Sequence, residues 1–216
     1  MGGRTSRAAP GGRCEGSDTV ATVVLFHSVH GPGPAVHEAA ERLRAAGHEV
    51  EVPDLYEGKV ADSVEEGRDL TDEIGREELL RRAVAATARL SERGVVYAGL
   101  SLGAAVAQTL ATADRNARGL LLLHGTSDLA EDTSVDELPV QLHVADPDPF
   151  ESHDWLSSWY LQMRQAGAEV EVHHYRGAGH LFTDRGLPDW DEEAAERAWR
   201  CALDFVAEVG SRDSAA

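Results

Sequence analysis

Short apolar runs alternate with helical stretches along most of the chain, and no other feature narrows the fold as far. The first run is Val20-Ala21-Thr22-Val23-Val24-Leu25-Phe26. It is continuous and β-branched, the pattern of a strand covered on both faces rather than half-exposed. Gly31-Pro32-Gly33-Pro34 breaks it. Residues 35–46 then place Val36, Ala39, Ala40 and Leu43 on one helical face, and Gly47 stops the helix. The same reading predicts strands at 48–52, 95–98, 119–123, 140–144 and 169–174. It predicts helices at 76–93, 104–113, 154–166 and about 191–209. Residues 54–75 are acidic and weakly patterned, and read as loop with a short helix. Strand–helix alternation implies parallel pairing with helices on both faces, and right-handed crossovers make it a doubly wound α/β sheet.

The 216 residues suit one domain able to bury a sizeable core. We expect it over 19–210, with 1–18 a loose Gly-, Arg- and Ser-rich tail and 211–216 a C-terminal tail. The formal charge of −18 repels phosphate backbones and anionic membranes, which argues against nucleic-acid or membrane partners. Acid is concentrated between Glu49 and Glu78, where it reads as a solvated face. Cys14 and Cys201 are too few for a disulfide framework and lie at opposite ends of the chain. The first residues lack the apolar run of a signal peptide, and a cytoplasmic location is expected.

Gly99-Leu100-Ser101-Leu102-Gly103 stands out within this frame. In a glycine-rich chain Gly-x-Ser-x-Gly is a modest signal by itself. Here a buried strand leads in and a small-residue helix leads out, the strand–turn–helix that a nucleophile elbow needs. Such a turn lifts the serine hydroxyl above the carboxyl edge of the sheet, where the helix N-terminus aims free amides.

A nucleophilic serine needs a base, and the base an orienting acid. His180 lies in Arg176-Gly177-Ala178-Gly179-His180-Leu181-Phe182, a glycine-rich loop straight after the last strand. Asp128, Asp146 and Asp148 all follow strands between Ser101 and His180, and Asp148 is favoured with Asp146 in reserve. The other histidines have plainer readings. His124 and His143 should be packed and hydrogen-bonded, and His173-His174 lack the partners of a metal site. His27 and His30, with Ser28 between them, follow the first strand and are candidates for lining the site.

Together these residues resemble the dienelactone hydrolase family from about Val20 to Val209. Val24-Leu25-Phe26-His27-Ser28-Val29-His30-Gly31 is similar to its first strand and oxyanion loop. Ala46-Gly47-His48-Glu49-Val50 and Val52-Pro53-Asp54-Leu55-Tyr56 are similar to its second-strand segment. Leu142-His143-Val144-Ala145-Asp146-Pro147-Asp148-Pro149-Phe150 is similar to its acid turn, and Tyr175 to Phe182 to its histidine loop. The resemblance implies an α/β-hydrolase fold of about six strands in the order 2-1-3-4-5-6, without a large cap domain. It implies ester or lactone hydrolysis of a small molecule without cofactor or metal, by Ser101, His180 and Asp148. The amides of Leu102 and Val29 would form the oxyanion hole. The best-known members carry cysteine in the elbow and glutamate where this chain has Ser28. Those two differences agree, because a serine nucleophile needs no thiolate switch. The alternatives are a non-catalytic small-ligand binder, or an acyltransferase or thioesterase using the same residues. Loops 55–75 and 126–138, where specificity would lie, name no substrate, and oligomeric state is not readable.

Overall fold

The computed structural model describes residues 20–212. The expected N-terminal tail and Cys14 lie outside them, as do residues 213–216. The sheet has the order β2-β1-β3-β4-β5-β6, and every neighbouring pair is parallel. The strands are β1 (Thr22–Phe26), β2 (Glu49–Glu51), β3 (Val95–Leu100), β4 (Ala117–Leu123), β5 (Pro139–Asp146) and β6 (Glu169–Arg176). The helices are α1 (Pro34–Ala45), α2 (Val64–Ile74), α3 (Arg76–Thr87), α4 (Leu102–Ala113), α5 (His153–Gln165) and α6 (Glu192–Arg212). This is the expected α/β-hydrolase architecture without a large cap domain.

Alternation along the strands divides the core in two. Val24, Phe26, Tyr97, Leu120, Leu122 and Leu142 face one way, against Leu79 of α3, Leu110 of α4 and Trp159 of α5. Val23, Leu25, Val96, Leu121 and Leu123 face the other way, against Leu43 of α1 and Trp199 and Val206 of α6. Both faces of the central strands are therefore apolar, which is why the sequence shows unbroken runs there.

Strand ends shift by one or two residues, and three helices depart further from the sequence reading. The acidic stretch holds a full eleven-residue helix, α2. Its start is capped: Ser63 Oγ accepts from Glu66 N at 3.1 Å, and the Glu66 carboxylate accepts from Asp62 N at 2.9 Å. This is the reciprocal logic of a capping box, shifted by one residue on the return bond. The helix expected over 76–93 stops at Thr87, and a separate 3₁₀ turn, Ser91–Arg93, follows it. Helix α6 continues to Arg212, two residues into the expected C-terminal tail. No helix among the described residues is long and apolar enough to cross a membrane.

Buried histidines make the fold sensitive to mild acid. His143 is fully enclosed between the Tyr175 hydroxyl at 2.7 Å and Gln141 Oε1 at 2.8 Å. Burial pushes its imidazole down from 6.5 to about 3, with His173 adding to the shift. Burial lowers His27 and His124 as well. Between these folded-state values and 6.5 the unfolded chain binds protons that the folded chain refuses, so stability falls as pH drops. The urea midpoint should be flat above about pH 7 and begin to fall near 6.5, above the range in which carboxylates titrate. A midpoint unchanged down to about pH 5 would show that these imidazoles accept protons inside the fold.

Candidate active site

Ser101 is the single residue between β3 and α4, at φ 51° and ψ −108°. A side chain held at positive φ carries strain of about 1–3 kcal/mol, which the surroundings must enforce. They do so through its backbone. Ser101 N donates to the Leu123 carbonyl at 2.7 Å, and its own carbonyl accepts from Ala104 N at 2.8 Å and Ala105 N at 3.2 Å. The two flanking glycines serve close approach. A Cβ on Gly99 would fall 2.1 Å from the Gly103 carbonyl, and one on Gly103 would fall 2.3 Å from the Phe26 carbonyl oxygen. The elbow is thus wedged backbone-to-backbone between β1 and the first turn of α4.

Ser101 Oγ lies 2.9 Å from His180 Nε2, and His180 Nδ1 lies 2.8 Å from Asp148 Oδ2. The Asp148 side chain is wholly shielded from solvent. Its other oxygen, Oδ1, accepts from the amides of Phe150 at 2.8 Å and Glu151 at 3.2 Å. Asp146 points elsewhere: it ends β5 and faces His153 at 3.2 Å and Arg176 at 3.7 Å. Asp128 remains in the loop beyond β4. The histidine loop is anchored by Asp189, whose carboxylate accepts from Leu181 N at 3.1 Å. The Phe150 ring meets His180 edge-on at 4.6 Å. A hydroxyl paired with an imidazole whose far nitrogen is held by a buried carboxylate can lose its proton to that imidazole.

Leu102 is the first residue of α4, so its amide has no acceptor within the helix. Val29 faces it across the cleft. The three residues read as lining candidates, His27, Ser28 and His30, do not border the cleft; they hold the Val29 loop from behind. His27 Nε2 accepts from Leu55 N at 3.1 Å, so its Nδ1 carries the proton and donates to the Ser28 carbonyl at 2.8 Å. Ser28 Oγ accepts from His30 N at 3.3 Å, and His30 Nδ1 donates to the Ala61 carbonyl at 3.0 Å. Sequence adjacency misleads here, because the chain turns between each of these residues and only Val29 faces the opening.

The cleft over Ser101 encloses about 440 Å³. Helix α2 supplies one wall through Val64, Arg68, Thr71 and Asp72, which recur on one helical face. Gly67, on the same helix, brings backbone against the loop: a Cβ there would sit 2.3 Å from the Val29 carbonyl oxygen. The opposite wall holds Thr126 and Glu151. Glu151 Oε1 accepts from Thr126 N at 3.0 Å and Oε2 from Thr126 Oγ1 at 2.7 Å. Burial raises the Glu151 carboxyl above its ordinary value, the two Thr126 bonds oppose the shift, and Asp148 adds to it. Trp155 Nε1 donates to Thr126 Oγ1 at 2.7 Å, so this tryptophan braces the cleft while Trp159 fills the core. The segments expected to hold specificity, 55–75 and 126–138, contain the α2 residues and Thr126, but the sequence reading assigned none of these side chains to the site and did not reach Glu151. The Ser63-to-Glu66 spacing was the available sign of α2, and its charge hid it. Among the described residues no group of three His, Cys, Asp or Glu side chains is arranged to hold a metal.

The chain matches the model of the dienelactone hydrolase family over residues 12–210. It is 32% identical over 68 residues to a Bradyrhizobium protein named a probable 2-oxo-3-(5-oxofuran-2-ylidene)propanoate lactonase. That match covers 32% of this chain and spans only 27% of the relative's length. Among solved structures, a dienelactone-hydrolase-like promiscuous phosphotriesterase from metagenomic libraries superposes with a TM-score of 0.76 at 21% identity, covering 88% of this chain and 86% of that one. A candidate dienelactone hydrolase from Klebsiella pneumoniae subsp. pneumoniae gives 0.71 at 18% identity, covering 86% of each chain. At such identities the likeness is one of fold.

Proposed function

The chain belongs to the dienelactone hydrolase family, and from that premise we propose that it is a serine-dependent hydrolase of carboxylic esters or lactones. One observation carries the reading: the continuous path from Ser101 Oγ through His180 to Asp148, at 2.9 Å and 2.8 Å, opening into a cleft. Residues 19–210 act as one catalytic domain. The Bradyrhizobium relative's name keeps lactones within the range considered.

In this reading Ser101 Oγ attacks the substrate carbonyl while His180 Nε2 takes the hydroxyl proton. Asp148 holds the imidazole and stabilises the cation that forms. The amides of Leu102 and Val29 receive the oxyanion. The intermediate collapses, the C–O bond to the leaving group breaks, and His180 returns the proton to the departing oxygen. Water then repeats the sequence on the acyl-Ser101 ester, losing a proton to His180 and releasing the acid and the free enzyme. No redox or metal step is needed for these bonds to balance.

A fluorophosphonate probe tests this directly, since it reacts with a serine activated in this manner. The expected result is an intact-protein mass gain of one phosphonyl group, mapped to Ser101 and absent in Ser101→Ala. Folded protein that stays unlabelled and releases no p-nitrophenol from p-nitrophenyl butanoate would overturn the proposal.

A further inference from the structure

The acid turn is tied back to the helix that follows Ser101 by a route outside the Ser101–His180–Asp148 path. On α4, Gln108 is 1% exposed. Its Oε1 accepts from Ser127 N at 3.1 Å, and its Nε2 donates to the Ser127 carbonyl at 2.7 Å. Those two bonds fasten the loop after β4 to α4. The preceding residue of that loop is Thr126, whose amide and hydroxyl both donate to the Glu151 carboxylate. Glu151 in turn donates its own amide to Asp148 Oδ1. The connections close into a ring. It runs from Ser101 along α4 through Gln108, Thr126 and Glu151 to Asp148, then through His180 back to Ser101.

Stability alone does not account for a glutamate in this ring. Glu151 is 9% exposed, and burial raises its carboxyl, so the ionised form is held against desolvation. No Lys or Arg pairs with it among the described residues. A glutamine would fill the same volume without that penalty, but it has one oxygen. Thr126 presents two donors, its N–H and its O–H, and its Oγ1 already accepts from Trp155 Nε1 at 2.7 Å. Two donors aimed at two oxygens call for a group that accepts at both, which is a carboxylate.

We propose that Glu151 is a positioning residue for the triad: its side chain fastens the acid turn to the loop held by α4, and so fixes where Asp148 places His180 relative to Ser101. This rests on the hydrolase reading above. Glu151 also borders the cleft, where a carboxylate would instead act on the bound substrate. The two roles separate cleanly. A positioning role is felt in kcat and only while Asp148 is present; a substrate contact is felt in KM and survives the loss of Asp148.

The test is a double-variant cycle on kcat and KM for p-nitrophenyl butanoate, using folded protein isolated by gel filtration. Misplacing a reacting group by about 1 Å costs on the order of 100-fold, so Glu151→Gln, with one acceptor for two donors, should lower kcat about 10- to 100-fold. KM should stay within about twofold of wild type. In an Asp148→Asn background the same change should lower kcat no further, because the residue it positions has already lost its role. A kcat unchanged by Glu151→Gln, a loss carried by KM instead, or an equal loss in the Asp148→Asn background would each overturn the proposal. Thr126→Val removes the hydroxyl donor of the same connection and leaves Glu151 in place. It should show the same dependence on Asp148, and it decides the matter if Glu151→Gln does not fold. Wild-type turnover with Glu151→Gln equally active sinks this inference alone. No turnover of ester by the wild type, with Ser101 unlabelled, removes the hydrolase reading and this one with it.

Discussion

Asp148→Asn should lower kcat for ester hydrolysis about 10⁴-fold while leaving the fold intact. The size follows from the bonds each carboxylate oxygen makes. Oδ1 accepts two backbone amides, from Phe150 and Glu151, and Oδ2 faces His180 Nδ1. An asparagine has one oxygen to place. Set against His180, it would turn its NH₂ toward two N–H donors. Set against the amides, it satisfies both and turns its NH₂ toward the imidazole. The second orientation wins, and it forces His180 to carry its proton on Nε2. The base then presents N–H to Ser101 and cannot accept a proton from it. Stopped-flow hydrolysis of p-nitrophenyl butanoate, beside a thermal melt, checks both halves. A loss smaller than about tenfold with the melt unchanged would mean that Asp148 does not orient the base.

Gly99→Ala should cost at least about 3 kcal/mol of stability, because its new Cβ meets backbone and cannot be relieved by a rotamer change. The methyl would lie 2.1 Å from both the carbonyl carbon and the oxygen of Gly103. Only separation of β3 from the first turn of α4 relieves it. That movement also releases the amide of Leu102 and the strained backbone of Ser101. For a domain of this size the loss corresponds to a fall in Tm of about 6–12 °C. Gly47→Ala is the useful comparison, since a Cβ there meets nothing within 4 Å. Its φ of 96° leaves it a local backbone penalty but no collision. Equal melting temperatures for wild type and Gly99→Ala would show that the elbow is looser than its backbone contacts require.

Much of this arrangement was legible because a parallel sheet gathers the carboxyl ends of its strands on one edge. Ser101 follows β3, Asp148 follows β5, and His180 follows β6. Once the strands and their order were read, three residues far apart in sequence had to lie near one another. The residues alone favoured Asp148 with Asp146 in reserve, and the resemblance to the family's acid turn placed the acid at Asp148; Asp146 ends β5, and Asp148 lies two residues beyond it. The segments that form the cleft walls were legible, but the contacts that seat them were not. Contact between Gly67 and Val29 depends on how α2 crosses the sheet edge, and no local pattern encodes that crossing. The tryptophans of α5 show the same limit. Trp155 and Trp159 belong to one apolar stripe, yet the first donates to Thr126 and the second to Gln108.

The contact at Gly67 gives α2 two unequal kinds of position. Gly67 is riveted to the Val29 carbonyl, so no side chain fits there without shifting the loop that would cradle an oxyanion. Val64, Arg68 and Asp72 share that helix and are exposed at the cleft. They can be exchanged without touching the rivet. The helix is therefore a cassette: one residue fixes its seating, and its neighbours are free to diversify. Substrate range in such a scaffold can drift quickly under selection, by substitutions on a single turn or two, while the chemistry beneath is inherited unchanged.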